Sequence, residues 1–264
     1  MTIYSLIRTY KYKAKNATRA FLSRRNRLRK ALSRLRFSLA KGKIKYTFHC
    51  LLSGHLIRKA KIHTWIKNHQ QLCLQIGGGK HIKTDPNWLN GDLIAGDIYI
   101  NAQKQLPFPD NSLDLIFTEH FIEHLPQQSA ITFLKESHRI LKPSGVLRIS
   151  TPDLKGILEV YQDRNNIVSQ KTAVDRHIYN HRSSFNSAEG NACQFVNDMF
   201  RLWGHHYIYD KASLINALKI SGFQDFQTVE FGKPGFHSFS SNLERHADEE
   251  WMKNAFVIIL EARK

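Results

Sequence analysis

The stretch QLCLQIGGGKH (Gln71–His81) drives a short apolar run straight into three glycines. A run this brief, closed by turn residues, reads as a buried strand. Glycines at its end let backbone approach a ligand that a Cβ would block. In an open parallel sheet, ligands sit beyond the carboxyl ends of the strands, where the strand order reverses. Gly77, Gly78 and Gly79 are therefore candidate binding residues, although a tight structural turn would read the same. The loop lacks the Lys-Ser/Thr of a triphosphate-binding loop and the full G-x-G-x-x-G of a dinucleotide site.

Working outward, strands and helices alternate. WLNGDLIAGDIYIN (Trp88–Asn101) supplies one or two short strands, and LPFPDNSLDLIFTEH (Leu106–His120) a turn and then a strand over Leu113–Phe117. SAITFLKESHRILKPSG (Ser129–Gly145) reads as a helix with Ile131, Leu134 and Leu141 on one face, stopped by Pro143 and Gly145. VLRISTPDL (Val146–Leu154) is a strand and its exit loop. Helices are expected over Lys155–Asp163, Phe195–Trp203 and Asp210–Gly222, the last with a glycine cap, and a polar loop over His177–Asn191. FQDFQTVEFG and NAFVIILEARK add two strands able to pair antiparallel. The expected fold is α/β: Rossmann-like, doubly wound, mostly parallel, with an antiparallel C-terminal edge. Asp92 falls at the end of the second strand. A carboxylate there can accept hydrogen bonds from both hydroxyls of a ribose, or simply be a strand-end acid.

Charge divides the chain. Residues 1–84 hold 21 Lys/Arg and no Asp or Glu, whereas residues 85–264 hold 18 Lys/Arg and 22 acids. The net +17 thus belongs to the amino-terminal part. Leu28, Leu32, Leu35 and Leu39 recur at helical spacing among Arg24, Arg25, Arg27, Arg29, Lys30, Arg34 and Arg36. A basic helical extension over residues 1–65 and a globular domain over 66–264 are expected, with a linking helix over 46–70. The arm over residues 1–45 suits an anionic membrane surface or a protein partner; a plain solvated extension, nucleic acid binding and a transit segment are the less favoured readings, in that order. Cys50, Cys73 and Cys193 have no paired spacing and read as reduced thiols. No apolar run nears the roughly 20 residues needed to span a bilayer, and no signal-peptide h-region is evident. A cytoplasmic protein, peripheral at the membrane, is expected.

TEHFIEHL (Thr118–Leu125) contains H-x-x-E-H, the spacing of one class of zinc peptidase. Pro126 disrupts helix where a metal-binding turn would need support, so no metal is expected. Candidate general bases are His120, Asp153 and the pair His205 and His206, with His181 and Arg182 weaker.

Taken together, LQIGGGKH, WLNGD, LPFPDNSLDLIFTEHFIEHL and FLKESHRILKPSGVLRISTPDL resemble the class I S-adenosylmethionine-dependent methyltransferases, most closely the methyltransferase-11 type. The resemblance is strong over residues 71–154 and weaker through Trp203–Phe223 to the end. It implies S-adenosylmethionine (SAM) as cofactor. Gly77 and Gly79 would border its methionine part, Gln75 leading in and Gly78 between. Asp92 would hold the ribose hydroxyls. Asn101 stands where the family often has an acid for the adenine amine, and His120 would lie close to the sulfonium. Related sequences are associated with glycan assembly, so a glycan or small-molecule hydroxyl is the preferred acceptor. The rivals are an RNA methyltransferase using the basic arm and a non-catalytic protein of this fold acting through the arm.

Overall fold

A computed structural model describes residues 55–79, 81–93, 95–162, 192–201, 204–236, 242–244 and 256–264. The basic arm, the polar segment His177–Asn191 and Trp203 lie outside them. All described residues belong to one unit, His55–Lys264. In chain order its elements are α1 (His55–Asn68), β1 (Cys73–Ile76), β2 (Trp88–Asp92), β3 (Ile98–Tyr99), β4 (Leu113–Glu119), a 3-10 turn (Ile122–His124), α2 (Gln127–Ile140), β5 (Leu141–Pro152), α3 (Leu154–Gln162), α4 (Ala192–Arg201), α5 (Lys211–Ile220), β6 (Asp225–Thr228) and β7 (Val257–Arg263).

One seven-stranded sheet runs β3-β2-β1-β4-β5-β7-β6. β1 pairs in parallel with both β2 and β4, and β4 with β5; β7 enters antiparallel between β5 and β6. The chain steps outward from β1 to β3, then jumps back to β4. The gap between β1 and β4 is therefore the switch point of the sheet, as the Rossmann-like expectation requires.

The central strands are buried on both faces, which is why they read as continuous apolar runs: Leu74, Ile76, Leu113, Leu115, Ile116, Phe117, Val146, Leu147 and Ile149 are all buried. α1 adds Ile62 and Trp65 to the core. α2 buries Ala130, Phe133, Leu134, Ser137 and Ile140. This differs from the expected face of Ile131, Leu134 and Leu141. Phe133 takes the buried face, Ile131 packs only at its margin, and Leu141 opens the next strand. α5 is closed at both ends. Asp210 and Ser213 form a reciprocal capping box. At the far end Phe223 N–H donates to Leu218 O and Gly222 N–H to Lys219 O, with Gly222 at φ +103°, a Schellman ending.

Parallel neighbours are usually joined through a helix, yet the described residues between β1 and β2 form none. A polar cage braces this link instead. Lys83 N–H donates to Asn90 Oδ1 (2.8 Å) and to Gln75 Oε1 (3.2 Å), and Asn90 Nδ2 donates to Lys83 O (3.0 Å) and Asp97 Oδ2 (2.7 Å). Among the described residues no helix is long and apolar enough to cross a membrane.

Candidate functional site

The carboxyl ends of β1, β2, β4 and β5 converge at the switch point. β1 delivers Gly77–Gly79. Gly77 (φ +76°) and Gly79 (φ +57°) sit in the left-handed region that favours glycine. A Cβ on Gly77 would stand 2.2 Å from Phe121 Cδ2, and one on Gly78 2.6 Å from Gln75 Nε2. A Cβ on Gly79 would meet nothing within 4 Å, so this part of the loop borders open space.

β2 ends on Asp92, whose Oδ2 accepts from Gly79 N–H at 3.1 Å and whose Oδ1 accepts from Ala95 N–H at 3.2 Å. The carboxylate thus ties the glycine loop to the end of β2 at the level where a ligand would lie. Gln75 is buried and braces the loop through Lys83, a supporting position. Asn101 lies just past β3, and its Oδ1 accepts from Gln103 N–H at 3.0 Å. An amide oxygen has a second lone pair, so it can still accept from an amine.

β4 leads into His120, a non-glycine residue at φ +47°. This conformation costs about 1–3 kcal/mol and clusters at functional sites. It is held by His120 N–H donating to Ser150 O (2.9 Å). His120 Nδ1 stands 3.3 Å from Glu123 Oε1. The Glu123 side chain is 0% exposed, and its Oε2 accepts from Thr151 Oγ1 at 3.0 Å. Oε1 has the His120 ring as its neighbour. Burial alone would push the Glu123 carboxyl up. Nearby His120, then His124, more than offset this and hold it below the ordinary carboxylate range.

The backbone of Glu123 also gathers the later segment. Its carbonyl accepts from His206 N–H (2.7 Å) and Tyr207 N–H (3.2 Å). His205 is thereby set against His124, ring centroids 4.8 Å apart and edge to face. His205 Nδ1 meets the Met199 carbonyl, and burial lowers its pKa. His206 is exposed. Asp153 lies past β5, where its Oδ1 accepts from Lys155 N–H (3.0 Å) at the start of α3, and burial raises its pKa. Of the four base candidates, His120 and His205 thus gather around Glu123, whereas Asp153 serves as a helix cap and His206 faces solvent. His181 and Arg182 lie outside the described residues.

Sequence reasoning missed the buried Glu123 carboxylate and the backbone carbonyl that gathers His206 and Tyr207, the part of Thr151, and the Lys83–Asn90–Asp97 cage. Only Thr151, directly before Pro152 and Asp153 at a strand end, carried a usable signal.

Residues 83–149 match the profile of a family described as a methyltransferase domain. Over 67 residues the chain is 42% identical to a demethylmenaquinone methyltransferase of Geobacillus stearothermophilus, covering 24% of this chain and 27% of that one. Over 57 residues it is 43% identical to a probable S-adenosylmethionine-dependent methyltransferase of Mycolicibacterium smegmatis, covering 22% and 21%. These matches span about a quarter of the curated relatives' length. A solved SAM-dependent methyltransferase from Archaeoglobus fulgidus aligns with 84% of this chain and 97% of its own at 16% identity and a TM-score of 0.42. Over residues 83–149 the chain is thus similar to methyltransferase domains, and that segment lies in a sheet with a Rossmann-like strand order.

Proposed function

We propose that the protein transfers a methyl group from S-adenosylmethionine to a hydroxyl of a glycan or other small-molecule acceptor. The observation that carries this reading is the Gly79 N–H to Asp92 Oδ2 bond at the switch point. It joins a glycine loop without side-chain bulk to a carboxylate able to accept from vicinal hydroxyls, the donor set a nucleoside with a charged tail needs.

When bound, the cofactor supplies an electrophilic methyl on a sulfonium. Asp92 would take the ribose hydroxyls, Asn101 Oδ1 would accept from the adenine amine, and Gly77 and Gly79 would leave room for the methionine part. The acceptor side is the β4–β5 end, around His120, Thr151 and His205. Catalysis here consists of holding donor and acceptor in line and keeping water out. His120, Thr151 and His205 would hold the acceptor hydroxyl toward the methyl that the bound cofactor would supply, with the hydroxyl proton passing to solvent.

The glycan preference comes from the family resemblance; the identity of the acceptor is what the assay must decide. Labelled methyl from SAM is offered with a panel of glycans, small phenols and RNA. Label on a glycan or small hydroxyl compound supports the reading. Label on RNA alone, lost on deleting residues 1–45, would replace it.

A further inference from the structure

The H-x-x-E-H motif acquires a different use once the fold is known. His120 and His124 do not share a helical face: His120 precedes the 3-10 turn in left-handed backbone, and His124 ends it. A third group replaces His120. Ligand atoms of Glu123, His124 and His205 all lie within 4.8 Å of one another.

We propose that Glu123, His124 and His205 bind a divalent transition metal of the zinc class beside the methyl-transfer site. This departs from the metal-free expectation drawn from the sequence. Four features point to it. Two imidazoles and one carboxylate form a donor set typical of three-ligand zinc sites. The Glu123 side chain is wholly buried, with Oε2 fixed by Thr151 and Oε1 facing ring nitrogens, His120 Nδ1 at 3.3 Å among them. A carbonyl can only accept, so the contact with Met199 O puts the His205 proton on Nδ1 and the lone pair on Nε2. That outer hydrogen bond is how metal-binding histidines are normally oriented. Finally, His124 and Glu123 share a short turn, and His205 is brought to them by the backbone bonds of His206 and Tyr207 to Glu123 O.

Ligand atoms around a tetrahedral zinc lie roughly 3.4 Å apart. Side-chain rotations of about an ångström would therefore close the present cluster on an ion. Three protein ligands leave a position open. On the methyltransferase reading, on which this use but not the metal itself rests, an acceptor hydroxyl coordinated there loses its proton more readily and its oxygen is held for attack. The proton passes to solvent, and the metal keeps its oxidation state throughout.

The test uses the full chain, stripped with chelator and dialysed. Zn(II) is titrated calorimetrically and Co(II) by its visible absorption, with Glu123→Gln, His205→Ala and the remote control His138→Gln. Glu123→Gln keeps an acceptor for Thr151, so it should fold even if His205→Ala does not. The expected result is one equivalent of metal with intense cobalt bands. Outer-ligand changes alone cost about 10–100-fold, so each ligand variant should weaken binding at least about 100-fold and the control leave it unchanged. No stoichiometric binding, or binding indifferent to Glu123→Gln, would overturn the inference. SAM is titrated into the same preparations. Tight SAM binding without a metal site sinks this inference alone, and metal binding without SAM binding sinks the functional reading instead.

Discussion

Arg148 on β5 is 0% exposed and faces two carboxylates that are also 0% exposed. Its Nε and Nη2 grip Glu244 at 2.7 and 3.0 Å, and Nη1 reaches Glu261 Oε1 at 2.9 Å and the Lys233 carbonyl at 2.9 Å. The carboxylates are held in turn by Gly232 N–H on Glu244 Oε2 and Phe236 N–H on Glu261 Oε2. Arg148→Met removes the cation and leaves two buried charges facing each other. Breaking a buried pair from one side costs about 3–5 kcal/mol. For a domain of this size each kcal/mol lowers Tm by about 2–4 °C, so the drop should be about 6–20 °C. Urea and thermal unfolding followed by circular dichroism measure it. The triple change Arg148→Met, Glu244→Gln, Glu261→Gln keeps acceptor oxygens for Gly232 and Phe236 but leaves no naked charge. It should regain most of the loss, because the cost lies in uncompensated desolvation rather than in lost attraction. A single variant within about 1 kcal/mol of the parent, or a triple variant less stable than the single one, would refute this reasoning.

Gly77→Ala should weaken SAM binding by more than about tenfold and destabilise the fold by about 1–3 kcal/mol. The φ of +76° strains any side chain, and the new methyl meets Phe121; calorimetry and urea melts read the two effects separately. Asp210→Ala should cost about 1 kcal/mol by removing the α5 cap and leave SAM affinity untouched. His138, against Phe223 and near Gly222, has its pKa lowered by burial and by Lys264. Its neutral form is favoured in the fold, so its contribution is present above about pH 6.5, the ordinary histidine value, and fades as pH falls through the folded pKa. His138→Gln should flatten that part of the stability profile in urea melts taken across pH.

Much of the sheet was legible because its central strands are mostly apolar and punctuated by glycine and proline. The strand–glycine–strand–acid order pointed to Gly77–Gly79 and Asp92 as neighbours from the sequence alone, since both lie at strand ends facing the same way. Two features were not legible. Among the described residues the link between β1 and β2 is braced by Asn90 and Asp97 rather than by a helix, and isolated polar side chains give no periodic signal. His205 meets Glu123 only through backbone bonds between segments far apart in the chain, so H-x-x-E-H suggested the wrong partner for His124. The face of α2 was misjudged because spacing alone does not weigh Phe133 against Ile131.

The most direct measurement is calorimetric titration of the full chain with SAM and its demethylated product, set against Asp92→Ala. Asp92 gives up hydrogen bonds to a charged acceptor, each worth about 1.5–3 kcal/mol. With two ribose hydroxyls on it, the variant should bind at least about 100-fold more weakly. Saturable binding at one equivalent, lost in Asp92→Ala, is the predicted result; a folded parent chain that binds neither molecule would contradict the account.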